Sequence, residues 1–239
     1  MPTESARLLR HVAQRVSLMC LEIESPHKIL YLPGQGEEVS VAHEILLFLQ
    51  QQPLLRHLTL SPHRQTLAGQ RLLSSDIPSL RSLCGVASDI AEIVPGRPVT
   101  ALNVYETVHE PATELWAKLH MSTAPISEMT LHIFHKDQLE RNLKGMAEHL
   151  TQLQSLTLIG IREDEDYAVT SANVRLFTSL RDLTVGLIYP YGLPPFNIWG
   201  DLHTSCPKLE RVSIFRQNIY NSSYVSSNDS NFFSFGAST

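Results

Sequence analysis

The amino-acid sequence predicts an α/β fold in which about eight parallel strands alternate with helices in an irregular stack of repeats. A six-residue pattern with three apolar positions recurs eight times, at intervals of 19 to 39 residues. Helical periodicity fills the intervals, and a proline often stands one or two residues before the pattern, at Pro53, Pro78, Pro98, Pro125 and Pro207. Recurrence at this spacing is typical of stacked-repeat proteins, and strands separated by helices are expected to run parallel.

Each six-residue unit carries apolar residues at positions 1, 4 and 6 and mostly polar residues at positions 2, 3 and 5. This alternation predicts a strand with one buried face. The units begin at Val16, Leu55, Leu80, Val99, Ile126, Leu153, Leu180 and Leu209. In this alignment Cys20 and Cys84 share position 5, which most other units fill with threonine or serine.

The intervals between the units predict helices. The clearest is 137–150, which places four apolar residues on one helical face: Leu139, Leu143, Met146 and Leu150. Pro111 is expected to open a helix that presents Leu115 and Leu119 to the core. Further helices are predicted at 41–51, at 89–94 with Ser88 as N-cap, at 198–202 with Asn197 as N-cap, and at 4–15. The helix at 4–15 would cap the open N-terminal end of the stack.

Two stretches are predicted to be irregular. The acidic run 163–166 is expected to be a solvated loop. The Ser/Asn-rich segment 222–239 is expected to fray. Three aromatic residues in that segment, Phe232, Phe233 and Phe235, could instead pack against the last strand or form a short docking peptide.

Composition sets the broad class of the protein. With 239 residues, 43% hydrophobic and 18% charged, the chain is expected to be globular, with one domain over 1–217 and a tail at 218–239. The net charge of −5 and the lack of a long apolar run disfavour nucleic-acid and membrane partners. Three widely spaced cysteines, Cys20, Cys84 and Cys206, favour a reducing compartment, the cytoplasm or the nucleus.

No constellation of residues predicts catalysis, a metal site or a cofactor. Gly34 and Gly36 lack the third glycine of a dinucleotide-binding loop. His132 and His135 would point to opposite faces of a strand and chelate poorly. The sequence therefore predicts a protein that is not an enzyme. Two alternatives stay open: a relic or truncated repeat domain without a dedicated partner, and an enzyme with its site in the loops 24–40 or 161–172.

The units resemble leucine-rich repeats, and the resemblance covers residues of about 16–217. The asparagine that such repeats place three residues after the last apolar position is absent, so the loops after the strands are expected to be irregular. The amino-acid sequence of the repeats is also similar to that of the repeat region of F-box-like proteins of mushroom-forming fungi. The segments that carry this similarity are 48–60, 78–83, 94–99, 124–131 and 146–158.

The resemblance implies a helix–strand solenoid that recognises other proteins. It further implies a possible role as the substrate receptor of a ubiquitin ligase, with the ligase adaptor as a second partner. Leu32-Pro33 and the segment 43–47 are where the F-box would lie. A Gly-containing insertion separates them, and a repeat unit already begins at Leu55, so no complete F-box is predicted.

The solvent-facing side of the strands is the predicted binding surface. Positions 2 and 3 carry four arginines and three carboxylates with no dominant sign, which suits a protein partner better than a phosphate backbone. The candidate partner-binding residues are Arg56, His57, Arg81, Glu128, Gln154, Arg181, Asp182 and Arg211.

Overall fold

The computed structural model describes residues 19–22, 43, 45–60, 67, 72–105, 113–133, 136–161, 164–187, 202, 206, 208–216 and 233–236. The chain divides into two compact units, Met1–Pro125 and Ile126–Thr239. The separation of a repeat domain over 1–217 from a tail at 218–239 stays a prediction, because both sides of that boundary lie outside the described residues. The predicted N-terminal helix at 4–15 and the capped segment beginning at Asn197 lie outside them as well, except for Leu202.

The first unit contains four parallel strands, each hydrogen-bonded to the one before it in the sequence. They are β1 (Cys20–Glu22), β2 (His57–Thr59), β3 (Ser82–Val86) and β4 (Ala101–Tyr105). Helical residues at 45–50 precede β2, helix α1 (Ala87–Ile93) follows β3, and helix α2 (Thr113–Leu119) follows β4.

The second unit repeats the same arrangement and adds one strand of opposite direction. Its parallel strands are β5 (Glu128–His132), β6 (Ser155–Ile161), β7 (Asp182–Leu187) and β8 (Arg211–Arg216). Helix α3 (Lys136–His149) connects β5 to β6, and helix α4 (Asp164–Val174) connects β6 to β7. Strand β9 (Phe233–Gly236) pairs antiparallel with β8. The described part of the chain thus confirms an α/β fold with eight parallel strands that alternate with helices.

A repeated backbone hydrogen bond sets the register of the repeats. In six repeats the carbonyl at position 2 accepts the N–H groups of positions 2 and 3 of the next repeat, as Arg56 does from Arg81 and Ser82, and Gln154 from Arg181 and Asp182. Bonds shared in this way fix the neighbouring strand in both translation and direction.

The same register corrects the alignment of the first repeat. Met19 accepts the position-2 and position-3 bonds from Arg56 and His57, and Leu21 is the partner of Leu58. Position 1 of this repeat is therefore Leu18 and not Val16, because Leu18, Leu21 and Ile23 satisfy the apolar pattern as well. Cys20 consequently occupies position 3, so the prediction that Cys20 and Cys84 share a position is wrong.

The core consists of the residues that the pattern predicts, together with one position that it misses. From the second repeat onward, the residues at positions 1, 4 and 6 are buried, as in Leu80, Leu83 and Gly85 of the third repeat. In five repeats a tight turn precedes the strand, and position 1 donates its N–H to the carbonyl three residues earlier. The accepting residues are all buried: Gln52, Ile77, Leu150, Phe177 and Cys206.

The helices agree with the sequence in their buried faces and differ in where two of them begin. The four apolar residues that end at Leu150 are buried, as are Leu115 and Leu119 of α2. Helix α1 begins at Ala87 with Val86 as N-cap and without a side-chain cap, so Ser88 lies inside the helix rather than capping it. Asp164, Glu165 and Asp166 form the first turn of α4 rather than a solvated loop.

One arginine of the first unit is fully buried. The Arg97 guanidinium donates hydrogen bonds to four backbone carbonyls, those of Leu73, Asp76, Ile93 and Pro95. Burial lowers its pKa to about 10, and the nearby Asp76 carboxylate acts in the opposite direction. Arg97 therefore joins the turn before β3 to the C-terminal end of α1.

A glycine interrupts the longest strand of the second unit. The pairing of β6 with β7 shifts register between Ile159 and Ile161, and Gly160 between them has a φ of 107°. A β-carbon at Gly160 would meet the backbone carbonyl of Ile133. Only glycine combines this backbone conformation with such a close approach of another backbone.

Candidate functional site

The candidate site is the strand face, which we define as the outward-pointing side chains at positions 2, 3 and 5 of the repeats. Residues at the same position of successive repeats lie side by side and form rows across the strands. The structure brings the predicted residues together in two groups, Arg56, His57 and Arg81 in the first unit, and Glu128, Gln154, Arg181, Asp182 and Arg211 in the second. Asp182 is half-buried and the other seven are exposed.

In the second unit opposite charges stand next to each other along the rows. Arg181 at position 2 forms an ion pair of 3.2 Å with Glu210 on the next repeat, from guanidinium nitrogen to carboxylate oxygen. Arg211 at position 3 lies 3.1 Å from the carboxylate oxygen of Asp182 on the preceding strand. Both pairs are largely exposed, so they stabilise the fold only weakly. Their effect is to leave this part of the strand face with little uncompensated positive charge.

In the first unit the corresponding row has two neighbouring positive charges. Arg56 and Arg81 both occupy position 2, and the Arg81 N–H donates to the Arg56 carbonyl at 2.8 Å. Because adjacent parallel strands are about 4.8 Å apart, the backbones that carry the two arginines are separated by about that distance. Within the described residues no ion pair involves either guanidinium, and Glu22 is the single carboxylate on the four strands of this unit.

Position 5 is polar but uncharged over most of the strand face. In the second unit it forms a row of half-buried hydroxyl side chains, Thr130, Thr157, Thr184 and Ser213. In the first unit the row is Glu22, Thr59, Cys84 and Asn103. Burial raises the pKa of the Cys84 thiol to about 11, with a hydrogen bond to the Tyr105 side chain acting against this and the charge of Glu22 adding to it. Cys84 is therefore protonated and a poor nucleophile at neutral pH.

The six-residue pattern misses a further outward position. Two residues beyond position 5, the strands place Tyr105, His132, Ile159 and Phe215 on the same side, each half-buried. In this row Gly186 is the partner of Phe215, and a β-carbon at Gly186 would lie 2.6 Å from the Phe215 ring. Extending the period-2 alternation one step past each unit is the signal that could have found these residues.

His132 makes the stability of the second unit dependent on pH. Desolvation lowers its pKa from 6.5 to about 4, because the folded strand face disfavours the charged imidazole. Above pH 6.5 the imidazole is neutral in both the folded and the unfolded chain, so its burial does not reduce the free energy of unfolding. As the pH falls from 6.5 towards 4, the imidazole takes up a proton more readily in the unfolded chain, and the free energy of unfolding decreases. We expect His132→Gln to flatten the dependence of the unfolding free energy on pH across this window, measured by urea denaturation at a series of pH values. Equal slopes for the two proteins would contradict the assignment.

The described residues contain no group of three or more histidine, cysteine, aspartate or glutamate side chains arranged to hold a metal ion. Among the helices of the described residues, none has the length and apolar character needed to cross a membrane. Most of the segment 161–172, where the sequence predicts a loop, belongs to helix α4. The loop 24–40 lies outside the described residues. Comparison of the sequence with protein-family models and with curated proteins found no match.

Proposed function

We propose that this chain is a non-enzymatic, leucine-rich-repeat-like solenoid that binds another protein through its strand face. The observation that carries the proposal is the repeated register of the strands. It presents aligned rows of exposed polar side chains on a backbone whose hydrogen bonds are fixed from one repeat to the next. Such a preformed surface loses little conformational entropy when a partner docks.

The proposed partner is a protein because of the composition of the face. Its rows mix arginine, carboxylate and hydroxyl side chains, and half-buried aromatic side chains lie next to it, two residues beyond position 5. This is the composition of protein interfaces rather than of a surface that follows a phosphate backbone. In the version implied by the resemblance to F-box-like proteins, the bound protein is a target for ubiquitylation. The chain would then be the substrate-receptor part of a ubiquitin ligase.

The test compares bulky substitutions on the strand face with matched substitutions elsewhere. Ala101→Arg in β4 and Ser155→Arg in β6 each place a long cation on a half-buried position of the face. Ala117→Arg in α2 and Gln152→Arg in the turn before β6 add the same side chain at exposed positions of the same units, away from the strands. The four tagged variants and the parent chain would be incubated with a lysate of the source organism, and the bound proteins identified by mass spectrometry.

We expect both face variants to lose the partner and both controls to retain it, because shape complementarity fails when an interface core is overfilled. Equal thermal stability of the four variants would show that the loss reflects binding and not unfolding. Retention of the partner by Ala101→Arg and Ser155→Arg would refute binding through this face. Recovery of a ubiquitin-ligase adaptor with the partner would favour the substrate-receptor version.

A further inference from the structure

We infer that the pair Arg56 and Arg81 binds a carboxylate-rich, acidic segment of the partner protein. The inference rests on the proposed function and adds the chemistry that the first unit recognises. Its basis is a contrast between two rows that share one backbone geometry. Arg56 stands beside Arg81 with an N–H to carbonyl distance of 2.8 Å, as Arg181 stands beside Glu210 with a distance of 2.7 Å.

The two rows differ in how their charges are compensated. Arg181 is followed by a carboxylate with which it forms an ion pair, whereas Arg56 is followed by a second arginine. Like charges directly opposite each other on neighbouring strands destabilise a sheet. At position 2 the described residues of the first unit therefore carry an unfavourable pair, where those of the second unit carry a favourable one.

No described carboxylate is placed to relieve the repulsion. Glu22 is the partner of Thr59, three residues along the strand from Arg56, which corresponds to about 10 Å. Its charge instead acts on Cys84, whose thiol pKa it raises. The ion pair between Lys118 and Glu92 joins α2 to α1 and involves neither arginine.

Guanidinium groups favour carboxylates because the planar fork donates two parallel hydrogen bonds. Alternate residues of an extended peptide point to the same side about 6.6 Å apart, a spacing that two long arginine side chains on neighbouring strands can match. An acidic peptide is favoured over a nucleic acid because two arginines neutralise few phosphates and the chain carries a net charge of −5.

The experiment measures binding of a fluorescein-labelled hexaglutamate peptide to the full chain by fluorescence anisotropy. Hexaglutamine and a single-stranded hexathymidylate are the comparison probes. The test variant is Arg56→Gln/Arg81→Gln. The control is Arg141→Gln/Arg175→Gln, which removes the same charge from exposed positions at helix α3 and just after helix α4.

We expect saturable binding of hexaglutamate and none of hexaglutamine, with affinity about tenfold weaker in the test variant and unchanged in the control. The test variant should unfold at the same temperature as the parent chain or higher, because the repulsion between the arginines is removed. Single variants at Arg56 and at Arg81 should each give part of the loss.

Absence of saturable binding, an equal loss in test and control variants, or tighter binding of hexathymidylate would each overturn the inference. Its failure is distinguishable from failure of the proposed function. If hexaglutamate does not bind but Ala101→Arg and Ser155→Arg still abolish capture of the partner, the strand face binds a protein of different chemistry. If neither effect is found, both proposals fall.

Discussion

Replacement of Arg97 by methionine is expected to destabilise the protein by about 3–5 kcal/mol, because it leaves one buried and three partly buried carbonyls without their donor. Methionine matches the length of the arginine stem but donates no hydrogen bond. The carbonyls of Leu73, Asp76, Ile93 and Pro95 would all lose their bond to the guanidinium. The measurement is the free energy of unfolding from urea denaturation.

The control for Arg97 is an arginine that makes no buried contact. Arg81→Met removes the same charge from an exposed position two residues before Leu83, and surface substitutions of this kind change stability by about 0.5 kcal/mol or less. Arg97→Lys should fall between the parent and Arg97→Met, since an ammonium group can reach some of the carbonyls but not all. A loss below about 1 kcal/mol for Arg97→Met would show that water replaces the guanidinium without penalty.

The second large effect is expected at the bulge of β6. Gly160→Ala should destabilise the protein by about 2–4 kcal/mol, because a side chain there is strained by the backbone and blocked by a neighbouring carbonyl. The φ of 107° is one that residues with a β-carbon rarely adopt. The obstacle is the backbone of Ile133, which cannot turn aside as a side chain can.

Gly85→Ala provides the matched control within another strand. A β-carbon at Gly85 would lie 3.3 Å from the β-carbon of Leu60, a tight contact that small shifts relieve. We expect a change of about 1 kcal/mol or less, since the backbone of Gly85 is ordinary extended strand. Thermal unfolding followed by circular dichroism would separate the two variants. Equal midpoints for Gly85→Ala and Gly160→Ala would contradict the role assigned to the bulge.

The sequence predicts the strands of this protein well because the same apolar pattern recurs in every repeat. The register of the strands confirms the alignment of repeats two to four with one another and of repeats five to eight with one another. The first repeat is aligned wrongly because Val16 and Leu18 both satisfy the apolar positions. The hydrogen-bond register distinguishes the two alignments, and so does Met19, which the first alignment places in the core and which is 54% exposed. Elements between the units are harder to predict, as Ser88 and the acidic start of α4 show.

The candidate site is predictable in its residues but not in its electrostatics. The side chains at positions 2 and 3 of the described strands are exposed or half-buried, and none is fully buried. The charge of an arginine is compensated only if the neighbouring repeat places a carboxylate beside it. The ion pairs of Arg181 and Arg211 therefore become visible only in the structure, where neighbouring strands are adjacent. Arg97 was not predicted because it lies outside the repeated pattern and because arginine is seldom fully buried.

Strand β9 has a consequence for how such a protein can change its number of repeats. It is hydrogen-bonded along β8 in the reverse direction, with Ile214 facing Phe233 and Arg211 facing Gly236. It thus occupies the edge on which the strand of a further repeat would dock. A copy inserted directly after β8 would have to displace β9, whereas a copy inserted between β5 and β8 would find a parallel neighbour on either side. Gene duplications that lengthen this unit are therefore expected to be retained in its interior and not at its last strand.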